Sequence, residues 1–248
     1  MSKLIVLERV DSTNTYAKNN FAELPDGCVV AAREQISGRG RMGRKWFSAP
    51  DASLTATMIC KDIAAGFHAG AIVGLAALAA VREFLPGCGA YFKWPNDIYV
   101  REKKLAGILA EGVIAAGRIS GVVCGIGLNI AQSEADLQPL GVPATSLSIC
   151  GAVEVSAEDF RQSFFRHSQE SYRRYRENRE AVLLQWRQEN RLAGAQLTAV
   201  KPDGEIICGR FAEIAADGAM ILECAGGRCR FDCGDIRIDP AMIDFDAL

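Results

Sequence analysis

Gly38-Arg39-Gly40-Arg41-Met42-Gly43-Arg44-Lys45-Trp46 packs three glycines and four cations into nine residues. Such a run holds neither a helix nor a strand, so it is a loop. Before it, Val29–Ala32 reads as a strand; after it, Leu54–Cys60 alternates enough to read as another. A glycine-jointed cationic loop between two strands suits a small anion. Its backbone can approach the ligand closely, its guanidinium groups match carboxylate or phosphate oxygens, and Trp46 offers a face to a flat ring. Two readings compete: a flexible surface loop, and an RGG-like nucleic-acid tail. The tail needs many repeats or a disordered context.

Outward from this loop the chain alternates strands and helices. Leu4–Leu7 reads as a strand, and Asp11 or Ser12 can cap a helix over Thr13–Asn20. Gly70–Leu85 is rich in Ala and Leu and reads as a core helix ended by Pro86-Gly87. Tyr91–Lys93 and Ile98–Val100 read as strands around a turn. Leu105–Val113 follows as a strand, and Ile119–Ile130 as one long strand or a pair. From Ser156 to about Asn190 runs a long amphipathic helical stretch whose charges form a solvated face. After Gly194 the texture changes to short strands at Leu197–Val200, Ile206–Gly209, Ala219–Glu223, Arg228–Asp232 and Asp235–Ile238. They are separated by turns such as Pro202-Asp203-Gly204. Evenly spaced short strands suggest a small β-barrel, so the expected boundary lies near Leu192–Gly194, dividing the chain into 1–192 and 193–248.

The 248 residues are 49% hydrophobic and 23% charged, which is globular usage. Lys plus Arg number 28 against 30 Asp plus Glu, for a net charge of -2. A chain so balanced is no general polyanion binder, so the anion site is local and DNA binding is not expected. The apolar run Ala69–Val81 is shorter than the roughly 18–20 residues of a membrane span. The N-terminus becomes charged too early for a signal peptide, so a cytoplasmic protein is expected. Nine cysteines include no Cys-x-x-Cys pair. Cys224, Cys229 and Cys233 cluster, but His68 and His167 lie far off in sequence, which leaves a zinc site short of ligands. The thiols read as small apolar side chains in a reducing compartment.

Two further segments carry chemistry. Lys93-Trp94-Pro95-Asn96-Asp97 followed by Lys104-Leu105-Ala106-Gly107-Ile108-Leu109 places an amide, a carboxylate and two lysines on one hairpin. Read alone, Trp-Pro-Asn-Asp is a stiff turn. Gly125-Ile126-Gly127-Leu128-Asn129-Ile130 lacks the third glycine and the helix of a dinucleotide fingerprint, so neither NAD nor flavin is expected. Glycines within a strand mark a bulge or the close approach of another group.

Together, Ser12-Thr13-Asn14, Gly38–Trp46, Lys93–Asp97, Lys104–Leu109 and Gly125–Ile130 resemble, in order and spacing, the motifs of biotin–protein ligases. The resemblance runs from about Val10 to Ile130, and the C-terminal barrel texture agrees with it. It implies an α+β fold: a mixed sheet with flanking helices of the class II tRNA synthetase and biotin–lipoate ligase type, then a small C-terminal SH3-like β-barrel. It implies ATP-dependent activation of biotin to biotinyl-5′-AMP with magnesium, and transfer of biotin to a specific lysine of a biotin carboxyl carrier domain. Because the chain starts almost at the catalytic motifs, a ligase without the repressor function is expected, as a monomer or a homodimer. By the same resemblance Ser12, Thr13 and Gln35 partner the biotin ureido ring, with Asn14 in the same contact segment. Arg39, Gly40 and Arg41 fold over the biotin carboxylate and the adenylate. Lys104 contacts the reacting carboxylate and the α-phosphate, and Trp46 packs near the adenine. Lys93, Asn96, Asp97 and Asn129 line the nucleotide and acceptor side. Asp97 is the carboxylate nominated for magnesium and for orienting or deprotonating the acceptor lysine. The nearest rival is a lipoate or octanoate ligase of the same fold. Its double-Arg, triple-Gly segment and downstream His-Asp have no counterpart here.

Overall fold

A computed structural model describes residues 3–152, 155–192, 194–201, 204–232 and 235–238. The larger unit is a seven-stranded mixed sheet. Its strands are β1 (Leu4–Val10), β2 (Val29–Gln35), β3 (Ser53–Cys60), β4 (Tyr91–Lys93), β5 (Asp97–Val100), β6 (Lys103–Ala115) and β7 (Arg118–Asn129), in spatial order β1-β2-β3-β7-β6-β5-β4. Only β1 and β2 run parallel, joined by helix α1 (Thr13–Asn19) as a crossover; the other pairs are antiparallel. β6 and β7 form one long hairpin that turns at Ala116-Gly117, both at positive φ. The segment Ile119–Ile130, left open as one strand or two, is therefore one strand.

The period-2 alternation of the central strands feeds two cores. Val29, Ala31, Leu54, Ala56 and Met58 face the main core, while Val30, Ile59 and Val123 face a smaller one with Ala17 and Phe21 of the α1 region. The main core is built on α2 (Gly66–Phe84), which packs against β6 and β7 and beneath α4 (Ala157–Glu177) and α5 (Arg179–Gln188). α2 begins four residues before the expected start at Gly70, with no side-chain cap at Ala65 to mark the spot. At 19 residues and mean hydropathy 1.4 it is long and apolar enough to cross a bilayer, but Ala71 to Leu78 are buried without a break. Each fully buried Leu or Ile contributes about 1.5–3 kcal/mol, which accounts for the composition.

The amphipathic helical stretch read from Ser156 to about Asn190 is two helices. Asn178 leaves helical geometry at φ -150, and its side chain accepts from the Ala181 N–H, so it ends α4 and caps α5. Between β7 and α4 lies the short helix α3 (Glu134–Leu137), with a capping box on Ser133.

The C-terminal unit is a five-stranded antiparallel sheet, barrel-like as expected. It is made of β8 (Gln196–Val200), β9 (Ile206–Ile214), β10 (Met220–Cys224), β11 (Gly227–Phe231) and β12 (Asp235–Ile238), ordered β11-β10-β9-β8-β12. The expected turn residues Pro202 and Asp203, the boundary residue Ala193 and the thiol of Cys233 lie outside the described residues. Both units share one core: Leu197, Phe211, Met220 and Ile236 join the cluster that holds Phe92, Trp94 and Trp186. The Trp94 indole N–H donates to the Gly218 carbonyl at 2.9 Å, tying the strand that carries the Lys93–Asp97 motif to the small sheet.

Candidate active site

A cleft of about 900 Å³ opens between the start of α1, the Gly38–Trp46 loop, the β4–β5 turn and the segment 140–144, with Ile236 of the small sheet at its edge. All the site residues expected from sequence line it: Ser12, Thr13, Asn14, Gln35, Arg39, Gly40, Arg41, Trp46, Lys93, Asn96, Asp97, Lys104 and Asn129.

One end is lined by neutral hydrogen-bonding side chains, with the Arg39 guanidinium beside them on the α1 wall. Ser12 caps α1, its Oγ accepting from the Thr15 N–H. Thr13 donates its N–H and its hydroxyl to Gln35 Oε1 at 2.9 and 3.2 Å. Thr57 Oγ1 lies 2.8 Å from Thr13 Oγ1 and 2.7 Å from Asn14 Oδ1. Asn14 Nδ2 donates to the Leu109 carbonyl at 3.1 Å and to Glu111 Oε2 at 2.8 Å. Asn14 is thus a brace between α1 and the sheet as well as part of the lining. Thr57 and Glu111 were not foreseen. Their signal was polar residues at strand positions, Thr55 and Thr57 alternating with Ala56 and Met58, and Glu111 within the apolar run of β6.

Burial works against the Glu111 carboxylate, but hydrogen bonds from Lys18 and Asn14 outweigh it and hold its pKa below the ordinary carboxylate value. A depressed folded-state pKa gives stability that is present above the unfolded value, about 4.3, and lost as pH falls through the folded one. Glu111→Gln is therefore expected to lower Tm at neutral pH, with the gap to the parent closing as the pH is taken below about 4. A constant gap in melts across that range would contradict this.

The floor is made of glycine backbone. Gly125 lies under Asn14, where a Cβ would fall 2.1 Å from Oδ1. Gly107 and Gly127 pair across β6 and β7 beneath the Trp46 indole. A weak sequence signal, Gly125-Ile126-Gly127, is thus the seat of two site side chains two residues apart on one face.

The loop forms a small hairpin over this floor. Arg39 and Lys45 form a bridge, Gly40 N–H donates to the Arg44 carbonyl at 2.7 Å, and Trp46 N–H donates to the Gly38 carbonyl at 2.9 Å. At the tip Met42 and Gly43 both take positive φ. Arg39 donates to Thr15 Oγ1 at 2.5 Å, and Arg41 donates to Asn96 Oδ1 at 3.1 Å. The loop thereby reaches both walls of the cleft.

The other end is cationic. Lys104 Nζ lies 2.7 Å from Asp97 Oδ1 and 5.7 Å from the centre of the Trp46 ring. The pair is three-quarters or more buried, with side chains 25% and 19% exposed, so its charges are only partly screened by water. Asn96 exchanges two hydrogen bonds with Ile108, which fixes the turn after the cis Trp94–Pro95 bond. Lys93 Nζ sits 4.5 Å from the Tyr99 ring centre. Asn129 lines the cleft, yet its amide is engaged by Thr145 and Gln132. The segment 140–144 is a wall the sequence did not announce: Lys104 N–H donates to the Pro143 carbonyl, and Thr145 N–H to the Lys104 carbonyl. Among the described residues no three His, Cys, Asp or Glu side chains gather as a metal-binding group.

The sequence profile of the biotin/lipoate A/B protein ligase family matches residues 6–129. The bifunctional ligase/repressor BirA of Escherichia coli K12 is 38% identical over 130 residues, covering 51% of this chain and 40% of that protein. BirA of Bacillus spizizenii is 30% identical over 242 residues, covering 95% of this chain and 74% of that protein. The chain thus spans less than half the length of the first of these curated relatives. Among solved structures, the biotin protein ligase from Aquifex aeolicus in complex with biotin and ATP has a TM-score of 0.81 at 22% identity. It covers 96% of this chain and 100% of that one, a likeness of fold.

Proposed function

The chain belongs to the biotin/lipoate A/B protein ligase family, and we propose that it uses ATP to convert biotin to biotinyl-5′-AMP and passes the biotinyl group to one lysine of a biotin carboxyl carrier domain. The observation that carries this reading is the polarity of a single cleft. A neutral set of hydrogen-bonding groups, Thr13, Asn14 and Gln35, stands at one end, and Arg41 and Lys104 stand at the other.

The neutral end favours biotin over a lipoyl or octanoyl group. A ureido ring gives and takes hydrogen bonds; a dithiolane or an alkyl tail does neither, and would cover a polar wall without bonding to it. Sites built to hydrogen-bond a ligand reject the analogue that lacks the partner. The cationic end suits the first chemical step. There a carboxylate attacks the α-phosphate of ATP, forming the mixed anhydride and releasing pyrophosphate. Two unit charges 4 Å apart repel by about 4 kcal/mol at an effective dielectric near 20, and Lys104 and Arg41 offset that repulsion. Magnesium takes one or two protein carboxylates and completes its shell with water and phosphate oxygens. Asp97 fits as such a lone protein ligand, and the ion would neutralise the departing pyrophosphate. In the second step an acceptor amine attacks the carbonyl of the anhydride, forming the amide and releasing AMP. Asp97, paired with Lys104, would orient that amine as it loses its proton.

Arg41 ties the loop to the far wall through Asn96. Arg41→Ala is expected to shorten the dissociation half-time of biotinyl-5′-AMP about tenfold, since one charge-assisted hydrogen bond is worth about 1.5 kcal/mol or more. An unchanged half-time would remove the loop's gating role. The whole reading is tested by incubating the chain with ATP, magnesium, labelled biotin and a carrier domain. Label on one lysine, dependent on ATP, is expected; labelled lipoate taken up in place of biotin would overturn the choice of substrate.

A further inference from the structure

At and behind the cleft wall, five polar side chains are buried together: Ser53, Asn129, Gln132, Thr145 and Ser146, each at most 2% exposed. Their hydrogen bonds have a fixed direction. A backbone carbonyl can only accept, so the Thr145 carbonyl, 2.9 Å from Asn129 Nδ2, sets the nitrogen end of that amide. Asn129 Oδ1 then faces Gln132, whose Nε2 donates to it at 3.2 Å and to Ser53 Oγ at 2.5 Å. Ser146 Oγ holds the Gln132 carbonyl at 2.7 Å. Thr145 in turn lies along the strand that carries Lys104: its N–H donates to the Lys104 carbonyl at 2.9 Å, while the Lys104 N–H donates to the Pro143 carbonyl at 3.0 Å. A continuous path of hydrogen bonds therefore runs from Ser53 through Gln132, Asn129 and Thr145 to the backbone of Lys104. Asn129, Pro143, Ala144 and Lys104 line the cleft; Gln132 is set back from it.

Gln132 also keeps a liability. Its Oε1 is buried and has no partner among the described residues. An unpaired buried acceptor is unfavourable, and an apolar side chain of the same size would avoid it. Turning the amide over to relieve it would set Oε1 against Asn129 Oδ1, oxygen against oxygen.

We propose that Gln132 is a positioning residue for the cationic end of the cleft: by holding Asn129 Oδ1 it locks in place the amide whose nitrogen end the Thr145 carbonyl sets, and so seats the segment 143–145 against Lys104. One Nδ2 hydrogen of Asn129, beyond the one given to Thr145, has no partner among the described residues. The wall there offers an N–H donor, the polarity that suits a nucleotide acceptor atom. This last step rests on the ATP-dependent reading above.

Gln132→Met keeps the volume, removes the orphan acceptor and removes the donor to Asn129. One orphan acceptor is removed while Asn129 Oδ1 and Ser53 Oγ each lose their donor, so Tm is expected to fall by a few degrees. Hydrogen exchange at the Lys104 and Thr145 amides is expected to quicken about tenfold, and KM for ATP to rise about fivefold to tenfold. The Kd for biotin, measured without ATP, stays within about twofold. Should Gln132→Met fail to fold, Gln132→Leu asks the same question, because it too removes the donor to Asn129 without burying a charge. Unchanged exchange at Thr145 overturns the brace whether or not the protein is active. Quickened exchange with an unchanged KM for ATP overturns the positioning role. A parent protein with no biotin-dependent ATP–pyrophosphate exchange would instead sink the ligase reading, and the brace would still be judged by the exchange at Thr145.

Discussion

Replacing Lys104 by alanine is expected to slow biotin-dependent ATP–pyrophosphate exchange by about 10²–10³-fold, while the Kd for biotin moves far less. Removing one preorganised donor aimed at developing negative charge costs about 2.7–4 kcal/mol of transition-state stabilisation. Here the loss has a second part. Asp97 Oδ1 lies 2.7 Å from Lys104 Nζ in a largely buried position. Without the ammonium, that carboxylate loses its positive partner within the protein and keeps only the magnesium it would hold, so its charge bears more strongly on a step that already joins two anions. The double variant Lys104→Ala/Asp97→Asn separates the two contributions. It should recover part of the exchange rate lost in Lys104→Ala, because the stranded charge is gone even though the donor is still missing. Acceptor docking, read as the concentration of carrier domain that half-saturates transfer from preformed adenylate, should change little. Exchange at the parental rate in Lys104→Ala would refute the assigned role.

The cleft was legible in sequence to the extent that its residues sit in loops and turns with peculiar composition. Arg39, Arg41 and Trp46 announce themselves through the glycines between them, and Asn96 and Asp97 through the stiff turn that carries them. Lys104 stood out by its place before an apolar run, and the structure sets it beside Asp97. What escaped was support rather than contact. Thr57 and Glu111 hold Thr13 and Asn14 from the sheet, but a threonine or a glutamate inside a strand has many ordinary explanations. Gln132 and the segment 140–144 lie in a stretch with no periodicity, where only tertiary pairing with Lys104 gives the residues a place. The same holds for the fold. Strands with clean alternation and the apolar helix α2 were readable. The break at Asn178 was not, because the amphipathic charge pattern continues across it while one side-chain cap decides the geometry.

Gly127→Ala is the variant whose effect should be largest for its size. An alanine Cβ at that position would lie 2.1 Å from Trp46 Cε2, 2.3 Å from Nε1 and 2.6 Å from Cζ2. Side-chain carbons do not approach so closely, and the obstructed group is a rigid ring rather than a flexible tail. The backbone at Gly127 lies in ordinary strand geometry, paired with Gly107 and Thr55, so alanine itself fits β7. The indole is therefore the part that must move. On the β6 side it already lies close over Gly107, where a Cβ would fall 3.1 Å from Trp46 Cζ3 and 3.2 Å from the Lys104 side chain, so a shift that way presses on Lys104. Displacing Trp46 also pulls on the loop, because its N–H holds the Gly38 carbonyl and closes the base of the Arg39–Lys45 hairpin. Overpacking of this kind costs about 1–3 kcal/mol of stability, yet kcat/KM is expected to fall by about 10²-fold or more, because a misplacement of about 1 Å at a reacting centre suffices for that. Trp46→Ala provides the internal control. On its own it should lower activity by removing the ring. Combined with Gly127→Ala it should add almost nothing further, since the added methyl then has room, and that non-additivity is the signature of direct contact. If Gly127→Ala works at the parental rate with unaltered tryptophan fluorescence, or if the two substitutions multiply as independent lesions, the glycine floor is not what seats the indole and the close packing beneath the loop has no part in holding the cleft in its working shape.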